Sequence, residues 1–390
     1  MPSFLSRLSR LFEQKQSATG KLIAMQSAGA PVWTPRDYAA LAREGFSQNA
    51  ICYRCVRMIS ESAASVPLAL HEGRQTLDEH PLLTLLKRPN SVQSGRDLLE
   101  DWYGHLMVSG NAYLESVSHD DEIIELHVLR PDRMKVVPGA DGWPEFYEYE
   151  VAGQQMRFHQ GGEGLKPILH MSLFNPLNDH YGMSPIEAAA FGIDIHNAAG
   201  SWNKALLDNS ARPSGALIYD AKDASLSVEQ FERLKEELES AHQGAVNAGR
   251  PLLLEGGLDW KPMGYSPRDM DFIEAKWVAA REIALALGVP PMLLGIPGDN
   301  TYSNYAEANR TFWRQTVLPL VNRTSGALTN WLDETYGEGI VLKPDINNIE
   351  ALAAEREARW QRISKADFLS VNEKREALGY GPVEDGDGLD

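Results

Sequence analysis

The amino-acid sequence predicts an α+β protein, with short antiparallel strands in its first half and long helices in its second. Three observations carry that expectation. Between residues 65 and 175, alternating runs rich in Val, Ile, Tyr and Phe are separated by Asp, Gly and Pro, the pattern of strands joined by turns. After residue 184 the texture changes to long helical segments opened by Ser-Pro pairs, "SPIEAAAF" at 184 and "SPRDMDFI" at 266, in which Ser caps the helix and Pro occupies its first position. A chain of 390 residues, 43% apolar and 23% charged, can bury a sizeable core and divide into two or three domains. No apolar run approaches the roughly 18 residues that a membrane-spanning helix needs.

Taken in order, the start "MPSFLSRLSRLFEQK" places Phe4, Leu5, Leu8, Leu11 and Phe12 on one helical face with Arg7, Arg10 and Lys15 between them. It lacks the continuous apolar stretch and cleavage site of a secretory signal, and reads as a partner-binding or fraying terminal helix ahead of a membrane-surface anchor. Residues 18–45 read as loop. A helix is predicted from Ser47 to Ala64, with Ile51, Cys55, Met58 and Ile59 on one face. "SVPLALHE" is a strand and "DEHPLLTLLKRPNS" a short helix stopped by Pro89-Asn90. A helix from Arg96 to Val108 leads through a Ser-Gly-Asn turn into the strand "AYLESV". The runs "IIELHVLRP", "RMKVVPG", "PEFYEYEVAG" and "MRFHQ" continue as an antiparallel meander.

From Ser184 a helix can run for some seven turns, with Glu187 three residues after the cap. The strand "SGALIYD", a helix from Ser227 to Gly244 and the hairpin-like "GRPLLLEGGLDWKPMG" make a compact α/β unit over 212–264. A second capped helix, 266–288, returns from it. The stretch "GVPPMLLGIPGDNTYSNY" then interrupts the helical pattern. Gly288 is suited to the left-handed helix end, Pro290-Pro291 forbid continuation, and a polar tip follows. About thirty helical residues come next, which Pro319 should kink by removing a backbone donor. The chain finishes with the strand "GIVLKPD", a charged helix around Ala351–Ser364, and a last helix opened by a Ser370/Glu373 capping box and stopped at Gly379.

Catalytic signatures are missing from this pattern. There is no G-x-x-x-x-G-K-[ST] loop and no H-E-x-x-H. "GMSPIE" and "GYSPRD" are helix starts rather than nucleophile elbows, because the Pro after each Ser makes the hydroxyl a cap. "GGEG" at 161–164 reads as a turn, and the final "DGDGLD" stops short of a calcium loop. Cys52 and Cys55 read as two small apolar residues on one helix face, and His127 and His170 as sheet residues with satisfied rings. An enzyme reading is left only the 289–305 loop, with Asp299, Asn300 and Tyr302 as candidates. No cofactor or metal set is indicated. A net charge of −17 argues against a protein that grips nucleic acid by neutralising phosphates, though not against one that lets it pass.

Several stretches in this order resemble the portal proteins of tailed bacteriophages, the head-to-tail connector family. They are "HPLLTLLKRPN" at 80–90, "SGNAYLE" at 109–115, "LRPDRMKVV" at 129–137, "YGMSPIEAA" at 181–189, "ARPSGAL" at 211–217, "REIALALGVPPMLLG" at 281–295, "TYSNYAEANRTFWRQTVLPLVN" at 301–322 and "SVNEKREALGYGPVEDGD" at 370–387. Gene transfer agents, phage-like particles kept by bacteria, carry portals of the same kind. The resemblance implies a portal-type fold: an N-terminal segment 1–44, an antiparallel β/α wing from 45–183, paired stem helices at 184–211 and 265–289, and a small α/β clip at 212–264. A tunnel loop at 290–304, a long wing helix at 305–340 and a short helical crown at 341–390 complete it.

It also implies a ring, usually of twelve copies, at one capsid vertex of a virion or phage-like particle assembled in the bacterial cytoplasm. The partners it implies are the major capsid protein, the terminase large subunit, a head-completion adaptor, and double-stranded DNA passing without sequence specificity. On this resemblance Asp299, Asn300, Thr301, Tyr302, Ser303 and Asn304 form the DNA-contacting loop. Arg268, Asp271 and Lys276 line the channel from the stem, and Glu229, Glu232, Arg233 and Glu236 meet partners from the clip. Twelve copies would together carry roughly −200, a field that repels DNA at long range and suits a passage in which it slides.

Overall fold

Two packed helices make the centre of the molecule. Helix α1 (Ala50–Ala64) opens at Asn49, whose side chain accepts from Ile51 N and Cys52 N. It packs against helix α3 (Gly95–Ser109), which starts in a Ser94/Asp97 capping box and ends at Gly110 with φ +74°. Cys55, Ile59, Trp102, Tyr103 and Leu106 meet in their interface and are essentially solvent-free. The two cysteines therefore act as small apolar side chains: they are free, and burial pushes the Cys55 thiol up to about 12.

The computed structural model describes residues 33–208 except 74, 121 and 162–164, the strands at 215–219 and 258–262, positions 227, 229, 232 and 233, and 272–297, 302–337 and 339–388. The amphipathic start and most of the 227–244 helix lie outside the described residues. A helical segment, Tyr38–Ala40 running into a π-helical Leu41–Ser47, replaces the loop expected there. Asp37 caps it by accepting from Ala40 N at 2.9 Å, and Leu41 is buried, so a local cap and packing together order it.

All described strand pairs are antiparallel, but they fall into separate sheets rather than one meander. Strand β1 (Leu68–Glu72) is followed by β2 (Gln75–Leu77) and then helix α2 (Pro81–Lys87). The hairpin of β3 (Asn111–His119) and β4 (Glu122–Leu129) is extended on its other side by β8 (Ile168–Ser172). Strands β5 (Met134–Pro138), β6 (Pro144–Val151) and β7 (Gln154–His159) form the meander proper. Strand β9 (Gly215–Tyr219) pairs with β10 (Leu258–Pro262). Late in the chain β11 (Ile340–Pro344) returns to pair with β1, setting Leu342 opposite the fully buried Leu70.

The helix expected from Ser184 is divided. Ser184 caps α4 (Pro185–Ala188) by accepting from Ile186 N, with no bond back from Glu187, and its hydroxyl donates to Met107 O at 3.0 Å. Ala189, at ψ −3°, tightens the backbone before α5 (Ala190–Asp208) begins. Helix α6 (Phe272–Ala286) lies against α5 and α1. The long helical pattern after residue 301 is α7 (Tyr302–Phe312), a π-helical turn Trp313–Val317, and α8 (Leu318–Tyr336). Pro319 therefore stands in the first turn of α8, and the wide turn before it absorbs the missing donor. Two charged helices close the chain, α9 (Ala353–Ser364) and α10 (Val371–Ala377), the latter with the expected Ser370/Glu373 capping box.

Where the sheet of β3, β4 and β8 meets the sheet of β5, β6 and β7, Tyr113 stacks on His170 at 4.3 Å and Tyr147 meets both rings edge-on. His170 Nε2 donates to Asn111 Oδ1 at 3.1 Å, because that oxygen can only accept, so Nδ1 receives the Tyr147 hydroxyl at 3.3 Å. Burial, and then the charge of His180, lower its pKa to about 4. The neutral ring thus stabilises the fold above the ordinary histidine pKa of about 6.5, and this contribution is lost as pH falls from there to about 4. The loss is at most about 3 kcal/mol. Urea unfolding between those pH values is expected to show a stability slope that shrinks in His170→Gln; an unchanged slope in the variant would refute the assignment.

Candidate functional site

The helix-loop-helix of α6, residues 287–301 and α7 contains the stretch to which the sequence reading gave most weight. Its first helix has a seam of small residues. Ala279, Ala280, Ile283 and Ala284 are buried, and Gly192 of α5 lets the two helices close: a Cβ there would lie 3.3 Å from Ala279 O. Asn49 ties α5 to the body one turn further along, donating to His196 Nδ1 at 3.1 Å and to Asn197 Oδ1 at 2.9 Å. Asn197 in turn donates to Glu44 O at 2.9 Å. Paired helices at this position therefore rest on polar anchors at one end and backbone proximity at the other.

Helix α6 stops as its sequence requires. Gly288 adopts φ +68°, its N–H bonds Leu285 O at 3.0 Å and the Val289 N–H bonds Ala284 O at 2.8 Å. This is a Schellman end with Val289 as its buried apolar partner. Thr316, from the π-helical turn, donates its hydroxyl to Gly288 O at 2.5 Å, so the start of the loop is fastened to the helix that follows it. The short 3-10 turn Pro291–Leu294 ends at Gly295, also left-handed, and Ile296 is buried beneath it. Arg281 closes the turn by donating to Pro297 O.

The sequence-predicted residues are placed as follows. Asp299, Asn300 and Thr301 lie outside the described residues, as do Arg268, Asp271 and Glu236. Helix α7 already begins at Tyr302, so Tyr302, Ser303 and Asn304 belong to its first turn rather than to the loop. No Pro or Gly follows Gly298 to hold them out of a helix. Asn304 is exposed and engaged with a partner. Lys276 is half-buried beside α5, where its charge, second to burial, lowers the pKa of His196. Glu229, Glu232 and Arg233 are exposed on helical backbone.

What the sequence reading missed is the outer face of α6. Ile273 is 71% exposed, Leu285 79% and Val278 46%, with Trp277 between them, and Phe191 and Ile195 of α5 are uncovered as well. Arg36 lies over the Phe191 ring at 4.9 Å, which shields one edge. The signal was present: "FIEAKWVAAREIALA" carries Ile273, Trp277, Val278 and Leu285 in addition to the buried Ala279, Ala280, Ile283 and Ala284, more apolar residues than one packed stripe needs. A single copy covers one.

The chain compares with known proteins along nearly its whole length. A family model described as phage portal protein matches residues 50–379. The chain belongs to the phage portal protein family. A chain of the solved neck of an empty GTA particle, computed with C6 symmetry, is 56% identical and superimposes with a TM-score of 0.73, covering 94% of this chain and 100% of that one. In the neck of the native GTA particle, computed with C12 symmetry, the match is 55% identical with a TM-score of 0.70 over the same shares of both chains. A Rickettsia bellii protein is 40% identical over 348 residues, 89% of this chain and 90% of its own length. The α+β architecture is thus that of a portal fold.

Gly288→Ala in this family member forces a side chain into the left-handed region and to within 2.8 Å of Thr316 Oγ1. The expected cost is about 2 kcal/mol, read as a lower urea midpoint with an unchanged slope.

Proposed function

We propose that this chain assembles with copies of itself, twelve on the pattern of the C12 neck, into a ring at one vertex of a phage-like particle of the gene transfer agent kind. In that role it is a structural component rather than a catalyst. It surrounds the channel through which double-stranded DNA is packaged and ejected. It meets the capsid, docks the terminase large subunit through the unit at 212–264, and then holds the head-completion protein there. The loop at 290–301 and the first turn of α7 approach the moving duplex.

The observation that carries this reading is the uncovered apolar face of α6. Ile273, Trp277, Val278 and Leu285 are interrupted by Glu274 and Arg281, the mixture of apolar anchors and charges expected where one protein surface meets another. A head-to-tail contact repeated by a closing rotation makes a ring, and the same helix then contributes to two subunits at once. An acidic ring also favours passage, since a duplex held by few cations meets no deep wells along its path.

Light scattering on the full chain is expected to report a ring, and Ile273→Glu or Leu285→Glu, both at largely exposed positions, to yield monomers whose urea midpoint is unchanged. Leu285 is almost fully exposed in a single copy, so its substitution does not disturb the core. A wild-type chain that stays monomeric with and without capsid protein would end the portal reading. Rings from both variants would move the contact elsewhere.

A further inference from the structure

Arginines converge on one cleft of an otherwise acidic chain. The cleft, about 420 Å³, opens between the π-helical turn and α9 and is lined by Arg314, Arg356, Arg359 and Arg362, with Trp360 and Glu355. The one carboxylate is already engaged, 3.3 Å from Arg314 and 3.9 Å from Arg310. Arg356 donates to Asn347 O, and Arg359 to Ala377 O at 2.6 Å. A guanidinium carries five N–H donors, so these main-chain bonds orient the two forks and leave donors over. Arg362 is exposed and has no partner among the described residues. Trp360 is half-exposed and held edge-on by Tyr380 at 6.2 Å, with Arg375 over the tyrosine ring.

The arrangement fits a repeating anion better than a single carboxylate. Arg356, Arg359 and Arg362 follow one another at three-residue intervals on α9, a row of about 9 Å along the helix axis. A DNA strand presents one phosphate per about 3.4 Å of its axis, so such a row spans more than one phosphate of a strand. The cleft lies further along the same helical segment that leaves the proposed DNA-contacting loop. Arg314 lies twelve residues beyond Tyr302, about 18 Å along the helical segment that leaves the loop. Resting on the portal reading, we propose that this cleft holds the phosphate backbone of double-stranded DNA, giving each copy one local, salt-sensitive grip on a duplex that the ring as a whole repels.

The test uses the full chain and a labelled mixed-sequence duplex, titrated by fluorescence anisotropy between about 50 and 200 mM salt. Arg362→Ala and Arg314→Ala are each expected to weaken binding several-fold at the lower salt and to reduce the slope of log affinity against log salt by about 1. Urea midpoints and assembly by light scattering should not change. Affinity and slope equal to wild type in both variants would overturn the proposal while leaving a ring intact. A polyglutamate peptide that binds more tightly than the duplex and depends on Arg362 would also overturn it, in favour of an acidic protein partner. Arginine-dependent duplex binding by a chain that never forms a ring would keep the cleft and remove the portal reading.

Discussion

The fold turns on one buried contact, between the Trp102 indole of α3 and the Thr324 hydroxyl of α8. The indole nitrogen donates at 3.3 Å across 222 residues of sequence, and the same hydroxyl lies 3.8 Å from Met171 Sδ of β8. Trp102 is 2% exposed and Thr324 1%, so neither polar group has water to turn to, and an unmade bond there would leave a buried donor unpaired. Three elements from distant parts of the chain are fixed at that point. Trp331 repeats the device two turns along the same face, donating to Lys166 O at 2.7 Å. Together the two indoles place α8 on the central helix and sheet, and α8 places everything continuous with it. The π-helical turn follows, then the threonine that secures Gly288, and with it the end of α6.

From this anchor the two faces of α6 acquire different meanings. Ala279, Ala280, Ile283 and Ala284 are consumed by the body of the same chain, while Val278 and Leu285, and part of Trp277, are left to solvent. Burying a large apolar side chain is worth about 1.5–3 kcal/mol, so an uncovered row of them is costly in a lone molecule and useful in an assembly. The charge distribution follows the same division of labour. The chain is acidic in sum, at −17, and the arginine-lined cleft beside α9 is a local concentration of the opposite sign. A protein that must let a polyanion move benefits from repulsion over most of its surface and from contact at few points.

Much of this was legible from residue order alone. The helix start at Ser370 is written in a side chain that bonds to the backbone within three residues, so no distant partner is needed to read it, whereas the caps at Asn49 and Ser94 move the starts expected at Ser47 and Arg96. The left-handed ends at Gly110 and Gly288 are equally local. His170 was legible as a satisfied sheet residue, because an apolar strand environment leaves a histidine little else to be. The motif order that resembles portal proteins is carried by these same local signals. The start of α7 at Tyr302, by contrast, was read too late, since a polar run of Tyr, Ser and Asn has no breaker to mark a boundary. The uncovered face of α6 was also overlooked: its composition announces a need for cover but not which side the chain itself supplies.

What the sequence by itself determined is the set of elements, their caps and the family they compose, because capping, turn and periodicity are interactions among neighbours. The tertiary structure decided which elements meet. β11 crosses to β1, Ala189 divides a helix that composition would have run through, the widened turn accommodates Pro319, and five arginines from two segments gather around one carboxylate and one cleft. Those outcomes depend on contacts between residues tens to hundreds of positions apart. Such contacts form where buried area and paired polar groups together exceed the loss of chain entropy, a balance that no local pattern records.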